Sequence, residues 1–324
     1  MNRLLIAFLS MLVSLAAQSE LLVSGLEGAS GSAVGPDGAL YVTEGAAGRV
    51  SRVDPWTGDT TTFASGLPPS LIGVGGAVDV AFIDGVAYVL VTLVSPDLND
   101  VFGPIGADDI DGIYRIDGPD SFTLIADIGS FALDNPPLPA FFIPSGVLYA
   151  MEPFRGGFLV TDGHHNRVYR VTLKGQVSEL IAFDNIVPTG LELHGNTIYM
   201  SQAGPAPHLP EDGKVVAFGP KSSSATDVAA GGMLMVDVEF GRGRKLYALA
   251  QGMWDGEFPG SPALPFTGSL FEVAHDGTLS ELATELNQPT SMEFIGNTAF
   301  IVTLGGEIHA ISAVSQPPFG ARPH

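Results

Sequence analysis

Aspartates stand at the start of two predicted β-strands, where carboxylates from separate strands can share a ligand. Asp79 and Asp237 occupy the same position of a strand pattern that recurs along the chain. Carboxylate oxygens are the ligands that Ca²⁺ prefers in proteins, and two carboxylates about 10 Å apart repel by roughly 1.7 kcal/mol at an effective dielectric constant near 20. The pair therefore predicts a metal site at Asp79 and Asp237, with calcium as the fitting ion. The alternative is that each carboxylate accepts hydrogen bonds from backbone amides at the strand start.

Three glutamates stand two residues further along the same kind of strand. They are Glu192, Glu239 and Glu293. Their side chains can line a shared channel or face the neighbouring group of strands. Polar packing bridged by water also explains them without any function.

Polar residues also stand where the second strand of most repeats ends. These strand ends are Glu44, Thr92, Asp162, Gln202 and Gln251. His164 and His165 follow Asp162 closely, and adjacent imidazoles can bind a transition metal or act as a general base. The alternative is a structural role, in which one imidazole ring packs in the protein and the other is exposed. No third nitrogen or sulfur ligand follows at the spacing of a metal site. The chain has no Gly-x-Ser-x-Gly, His-Glu-x-x-His or phosphate-loop motif, so the familiar hydrolase motifs are missing.

The elements that carry these residues repeat six times within residues 32–311. The clearest copy has four short strands, at residues 32–35, 40–43, 48–53 and 60–63. The aromatic residue of the second strand recurs as Tyr41, Tyr88, Phe158, Tyr199, Tyr247 and Phe300. Four short strands per copy predict an all-β fold, a six-bladed β-propeller with four-stranded antiparallel blades.

One interval between these aromatics is longer than a blade. Tyr88 and Phe158 are 70 residues apart, but the interval contains its own third strand at 112–116 and fourth strand at 122–125. The surplus therefore predicts two long loops and not a seventh blade.

The last blade lacks a fourth strand, and the N-terminus has one to spare. Residues 19–23 resemble the fourth strands at 178–181 and 280–283. We expect this N-terminal strand to complete blade six, which closes the ring and removes an exposed sheet edge. One propeller domain over residues 18–314 is predicted, followed by a Pro-rich, disordered tail at 315–324.

The composition restricts where the protein acts and what it binds. Residues 1–17 combine a basic start with an apolar run that ends in small residues, which predicts a cleavable signal peptide; a retained anchor is the alternative. We therefore expect a secreted or periplasmic protein.

The chain has no cysteine, so disulfides are unavailable. The net charge of −21 disfavours nucleic acid and anionic membranes as partners, and we expect a monomer.

A closed ring brings the strand starts together at a central tunnel. Alignment of the first strands gives a tunnel column of Ser32, Asp79, Gly146, Gly190, Asp237 and Ser291. Blades two and five are opposite each other in a six-fold ring, so Asp79 and Asp237 are expected to face each other across the tunnel.

The same face receives the long loops. The predicted insertions span residues 93–111, 132–144, 203–213 and 252–267. Their aromatic residues are Phe102, Phe141, Phe142, His208, Trp254, Phe258 and Phe266. These rings predict an apolar pocket at a loop-rich mouth, or they merely cap their own loops. The acidic run at 108–112 is too short for an EF-hand and indicates either the start of a hairpin or a calcium ligand cluster.

The blade sequences resemble a known family. Residues 35–44 (Gly-Pro-Asp-Gly-Ala-Leu-Tyr-Val-Thr-Glu) and 161–171 (Thr-Asp-Gly-His-His-Asn-Arg-Val-Tyr-Arg-Val), behind a signal peptide, look like the ScyD/ScyE family of exported propellers, relatives of NHL-type repeats. The resemblance covers nearly the whole mature chain. It implies an exported six-bladed propeller and supplies no catalytic residue.

Two enzyme families share this scaffold. Residues 25–50 are similar to soluble quinoprotein sugar dehydrogenases, but no second stretch supplies their cofactor-binding histidine and arginines. Lactonases of the gluconolactonase type place a Glu, an Asn and an Asp on the tunnel axis. By that resemblance Glu44 and Asp237 match two ligands, and Thr189 stands where the Asn is expected.

Two hypotheses from different classes follow. The first is an exported propeller that binds a small molecule or a partner protein at the loop-rich mouth, with or without a cation on the axis and with no defined catalysis. Its predicted ligand-binding residues are Glu44, Asp162, His164, His165, Gln202, Gln251 and Trp254. The second is a metal-dependent, calcium-type lactonase or other hydrolase of the gluconolactonase-like propeller class, with Glu44, Asp79 and Asp237 as ligands and His164 as base. The sequence leaves open whether the protein is an enzyme.

Overall fold

The computed structural model describes residues 19–314. The predicted signal peptide at residues 1–17 and the predicted tail at 315–324 lie outside the described residues. None of the described helices is long and apolar enough to cross a membrane.

The described chain forms six four-stranded antiparallel sheets, which confirms the predicted six-bladed β-propeller. Blades one and two contain β2 (Ala29–Val34), β3 (Leu40–Glu44), β4 (Arg49–Val53), β5 (Thr60–Ser65), β6 (Gly76–Ile83), β7 (Val86–Thr92), β8 (Gly112–Gly118) and β9 (Ser121–Asp127). Blades three and four contain β10 (Leu148–Pro153), β11 (Gly157–Asp162), β12 (Arg167–Thr172), β13 (Val177–Ala182), β14 (Pro188–His194), β15 (Thr197–Gln202), β16 (Lys214–Phe218) and β17 (Thr226–Ala230). Blades five and six contain β18 (Met235–Gly241), β19 (Lys245–Ala250), β20 (Gly268–Val273), β21 (Leu279–Leu286), β22 (Pro289–Ile295), β23 (Thr298–Thr303), β24 (Ile308–Ile311) and β1 (Ser19–Val23).

The innermost strands close into a ring. Each first strand contacts the first strands of both neighbouring blades, in the order β2, β6, β10, β14, β18, β22 and back to β2. The second strands β3 and β11 are buried along their whole length, because neighbouring blades cover both of their faces. Half of the residues of the outer strand β13 are exposed.

The N-terminal strand completes the last blade, as the sequence predicted. Ser19 pairs with Ile311 in an antiparallel register between β1 and β24. The Leu26 amide then donates a 3.0 Å hydrogen bond to the Gly306 carbonyl oxygen. The two ends of the propeller are thus joined by backbone pairing, and β24 has no free edge.

The surplus residues of blade two form loops, as predicted, and each loop contains a short helix. Helix α1 (Leu98–Phe102) lies between β7 and β8, and helix α2 (Ile128–Asp134) lies between β9 and β10. The Asp127 side chain caps α2 by accepting a 2.8 Å hydrogen bond from the Ser130 amide. A small apolar cluster, which includes Leu98 and Ile143, packs the two loops together.

The structure corrects the predicted tunnel column in blade three. Gly146 lies before β10, outside the strand. Glu152 pairs with Leu159 between β10 and β11, so Leu159, and not Phe158, occupies the position of the other second-strand aromatics. Ala150, two residues before Glu152, therefore takes the place predicted for Gly146.

Blade one needs a correction of one residue. Ala33 pairs with Tyr41, so Gly31, two residues earlier, belongs in the column in place of Ser32. Each first strand has a register shift near its start, and such a bulge changes the residue count without changing the sequence pattern. The corrected tunnel column is Gly31, Asp79, Ala150, Gly190, Asp237 and Ser291.

Substitutions at two residues of β1 can test whether this strand closes the propeller. Val23 is 8% exposed and packs in the apolar cluster between blades one and six, whereas Leu21 is 52% exposed. We expect Val23→Asn to lower the free energy of unfolding by about 2 kcal/mol or more, because it removes buried apolar surface and buries an amide. Denaturant unfolding measures this change.

Leu21→Asn is the matched control on the same strand. It should change stability by no more than about 0.5 kcal/mol. Deletion of residues 17–26 should unfold the protein or make it associate through the free edge of β24. A truncated chain that stays monomeric with the wild-type Tm would contradict the role of β1.

Candidate functional site

Asp79 connects three blades at the tunnel wall. Its Oδ2 accepts a 2.6 Å hydrogen bond from the Met151 amide of blade three, and its Oδ1 accepts one of 2.8 Å from the Val80 amide. On the other side, a Cβ atom at Gly31 of blade one would collide with this carboxylate. Gly31 is therefore required for the close approach of the two blades.

Asp237 repeats the arrangement half a turn around the ring. Its Oδ2 accepts a 2.7 Å hydrogen bond from the Met292 amide of blade six, and its Oδ1 accepts one of 2.9 Å from the Val238 amide. A Cβ atom at Gly190 of blade four would meet its carboxylate. Both aspartates thus make the backbone hydrogen bonds of the alternative interpretation, in a unit of three blades that occurs twice.

A ring of acidic side chains lies two residues further along the strands. The described structure places Glu152, Glu192, Glu239 and Glu293 in four consecutive blades, and Ala33 and Ala81 in the other two. Sequence reasoning missed Glu152, because the first strand of blade three was aligned on the wrong residues. Alignment of Thr161 with Thr43, each the penultimate residue of its second strand, would have found it.

These side chains surround one central cavity of about 270 Å³. Both tunnel aspartates and all four glutamates line it, together with Tyr149. No described Lys, Arg or His lines this cavity. The lining continues to Val34, Phe82 and Pro153 at the far ends of the first strands, so the cavity extends away from the loop-rich mouth and towards the face of the short turns.

Burial and mutual repulsion keep protons on this cluster. Burial raises the pKa of Asp79 to about 7. Burial, and then the charge of Glu192, raises the pKa of Glu152 well above its usual range. Burial raises the pKa of Glu192, and burial together with the charge of Glu192 raises the pKa of Glu239 well above its usual range. The tunnel therefore holds fewer charges at neutral pH than it has carboxyl groups.

Glu44, a predicted ligand-binding residue, is fully buried at the end of β3. Its Oε1 accepts hydrogen bonds from Arg49 Nε at 2.8 Å and from the Ser51 hydroxyl at 2.5 Å. Its Oε2 accepts from Arg49 Nη2 at 2.7 Å and from the Glu27 amide at 2.6 Å. Burial alone would raise its pKa, but the Arg49 and Ser51 contacts hold that pKa below the usual range. The carboxylate is fully used inside the protein.

Asp162 has the same position in blade three and is also fully buried. It accepts hydrogen bonds from the Val147 amide at 3.1 Å, the His165 amide at 2.9 Å and the Tyr169 hydroxyl at 2.9 Å. The His165 ring lies beside it, with Nδ1 3.1 Å from Oδ2. Burial would raise the pKa of Asp162, but the His165 contacts lower it. His165 Nε2 donates to the Ile143 carbonyl oxygen at 3.0 Å.

His164 and His165 split into one half-buried and one buried ring. His164 packs edge-on against Phe141 and Phe142, and its Nε2 accepts a 3.2 Å hydrogen bond from the Ile143 amide. Burial lowers the pKa of His164 to about 4. The ring is therefore neutral near pH 7, and its basic nitrogen already has a partner.

The other predicted ligand-binding residues hold the mouth loops. Gln202 Nε2 donates to the Asp212 carbonyl oxygen at 2.9 Å. Gln251 Oε1 accepts from the Ala263 amide at 2.9 Å. Trp254 Nε1 donates to the Ser261 hydroxyl at 2.8 Å, and its ring packs against His208. The fold brings the predicted residues to the mouth face, and their polar atoms bind other parts of the chain.

Apolar side chains are exposed on the loops of this same face, and we call them the apolar rim. The rim consists of Val74, Phe102, Leu133, Leu138, Phe142, Leu209, Met253, Phe258, Leu264 and Phe266. The other large apolar side chains exposed in the described residues are Leu21, Trp56, Val86 and Leu173. Exposed apolar surface concentrated on one face is typical of an interaction site.

Known structures with this fold have varied activities. A gluconolactonase from Xanthomonas campestris is similar, with a TM-score of 0.64, 13% identity and 93% of each chain covered. A PQQ-bound aldose sugar dehydrogenase from Streptomyces coelicolor gives a TM-score of 0.58 at 14% identity, covering 91% of this chain and 98% of the other. A virginiamycin B lyase from Staphylococcus aureus gives 0.53 at 13% identity, covering 91% of this chain and 98% of the other.

At this identity the comparisons support the propeller architecture alone. No protein-family model matches the chain, and no curated protein sequence matches it. The resemblance to the ScyD/ScyE family stays a prediction.

The acidic tunnel predicts how stability depends on pH. Because the tunnel carboxyl groups have a higher pKa in the folded protein than in the unfolded chain, they favour folding at low pH, and this contribution is lost as pH rises through their raised pKa values, of which that of Asp79 is about 7. Glu239→Gln mimics the protonated form. We expect it to raise Tm at about pH 8 by roughly 2 °C or more and to leave Tm near pH 4 unchanged.

Thermal unfolding across this pH range measures the difference. Glu257→Gln, at an exposed glutamate in a mouth loop, is the matched control and should follow the wild-type curve. Parallel curves for Glu239→Gln and the wild type would show that folding does not raise the pKa of Glu239.

Proposed function

We propose that the protein is a binding propeller without catalysis, which recognises a partner protein through the apolar rim of its loop-rich mouth. The observation that carries the proposal is the concentration of exposed apolar side chains on the loops of one face. Phe142, Phe258 and Phe266 are each more than half exposed, so they project into solvent instead of lining a closed pocket. A projecting apolar surface suits a macromolecular partner better than a small molecule.

The rim is held in place for such a role. Gln251 and Gln288 bind the loop at 252–267 through the Ala263 backbone, at 2.9 and 2.6 Å. Trp254 and His208 pack the loops of blades four and five against each other. Anchored loops lose little conformational entropy on binding, and this favours recognition.

The lactonase hypothesis fits the described contacts less well. Both Glu44 oxygens already accept hydrogen bonds from Arg49 and other donors, and Asp237 accepts two backbone amides. Thr189, at the expected Asn position, donates to the Met235 carbonyl oxygen at 2.9 Å. Among residues 19–314, no three His, Cys, Asp or Glu side chains are arranged to hold one metal ion together. We therefore derive no metal-dependent step.

The rim proposal predicts a specific loss of binding. Combined Phe142→Ser, Phe258→Ser and Phe266→Ser substitutions should weaken the complex with a purified, stoichiometric partner by about tenfold or more, because interface aromatics contribute a large share of binding energy. Tm should change little, because these side chains are exposed. Titration calorimetry with the purified partner measures the affinity.

Trp56→Ser is the control, since Trp56 is 69% exposed on a short turn between β4 and β5, away from the mouth. It should bind as tightly as the wild type. Equal binding by the rim variant would refute the proposal. Chelator-sensitive lactone hydrolysis that Asp237→Ala abolishes would favour the enzyme instead.

A further inference from the structure

Three polar groups from the two insertions of the 93–147 region meet beneath the mouth without partners. Asp97 Oδ1, Asp111 Oδ2 and Ser145 Oγ are buried, and none has a hydrogen-bond partner in the described part of the chain. Asp111 and Ser145 are fully buried. Orphaned buried oxygens are costly, and in a native protein they indicate an ordered water or an ion.

Two backbone hydrogen bonds anchor the carboxylates: one joins Asp97 to Ser145, and the other joins Asp111 to Val94, three residues before Asp97. The Ser145 amide donates a 3.0 Å hydrogen bond to Asp97 Oδ2, which leaves Oδ1 unpartnered. Asp97 precedes α1, but its side chain does not cap that helix. Asp111 Oδ1 accepts a 2.9 Å hydrogen bond from the Val94 amide, which leaves Oδ2 unpartnered. One oxygen of each carboxylate thus accepts a backbone hydrogen bond, and the other has no hydrogen-bond partner among the described residues.

Both loops are fixed independently of these oxygens. The Asn99 amide group donates to the Ala107 carbonyl oxygen at 2.6 Å and accepts from the Ala107 amide at 3.2 Å, which closes the loop after α1. The Asp111 carbonyl oxygen accepts from the Ile128 and Gly129 amides at 3.0 and 2.9 Å. A site between such loops would be formed before a ligand arrives.

Asp97 and Asp111 also lack a positively charged partner among the described residues. Neither Asp97 nor Asp111 forms a salt bridge with a described Lys, Arg or His. Burial raises the pKa of Asp111 to about 6, and the Asp97 charge adds to this rise. The Ser145 hydroxyl lies near enough to the Asp111 carboxyl group to oppose the rise, but it does not have the geometry of a hydrogen bond. The two carboxyl groups therefore lie beside an apolar cluster without an ion-paired cation among the described residues.

We propose that Asp97, Asp111 and Ser145 form a binding site for one calcium ion that joins the two insertions beneath the mouth. Two carboxylates match the charge of a divalent cation, and an all-oxygen ligand set selects a hard ion. Calcium accepts irregular arrangements completed by water, whereas magnesium demands near-octahedral geometry. This site is separate from the tunnel aspartates and from the apolar rim.

Calcium titration of the chelator-treated full-length protein tests the proposal. We expect one ion per chain by calorimetry, a Tm that rises with calcium concentration, and weaker binding of magnesium. Asp111→Asn and Asp97→Asn should each reduce calcium affinity by roughly tenfold or more. Asp100→Asn, at an exposed carboxylate of α1 in the same loop, should bind like the wild type.

Ser145→Ala tests the same site if the aspartate variants fail to fold, because it removes one ligand oxygen and leaves both carboxyl groups in place. It should bind calcium more weakly while it keeps the wild-type Tm in chelator. No saturable calcium binding would overturn the proposal and leave a water or a shared proton at the site. Binding that persists in Asp97→Asn and Asp111→Asn but is lost in Glu239→Gln would place the ion in the tunnel and also overturn it. Equal magnesium affinity would overturn the choice of calcium.

Discussion

The backbone pairing between β1 and β24 is the contact on which the rest of the architecture depends. It joins chain positions almost 300 residues apart, such as Ser19 and Ile311. The entropy cost of closing so long a loop grows only logarithmically with its length. Closure brings β2 against β22, so that every first strand has two neighbours and all six blades surround the tunnel. Without closure, carboxylates of distant blades would face solvent and not one another.

Closure of the ring also explains the contacts and the raised pKa values of the tunnel carboxyl groups. Asp79 and Asp237 bind amides of the following blade and fit against glycines of the preceding one, so they stabilise blade contacts. The ring brings the four tunnel glutamates together at its centre. Their raised pKa values follow from burial and repulsion, and a raised pKa alone does not indicate catalysis.

Polar and apolar side chains have different roles at the mouth. Polar side chains such as Glu44 and Asp162 are used to fix strand ends and loops. Aromatic and aliphatic side chains at the loop tips stay exposed. A surface of this kind supports binding through shape and apolar area, with the proposed calcium ion as an internal brace below it. The similar known structures include a gluconolactonase and a lyase, so the scaffold does not determine the function.

The number of blades, the closing strand and the loop-rich face can be predicted from the amino-acid sequence, because they follow from strand periodicity and turn residues that are local in the chain. The register at each strand start depends on the folded molecule, where a bulge moves the column to Gly31 and Ala150 and places Glu152 in the tunnel. The hydrogen-bond partners of the polar atoms likewise become visible only in the folded molecule. Glu44 and His164 look reactive in a sequence, and their partners come from separate segments that only folding brings together.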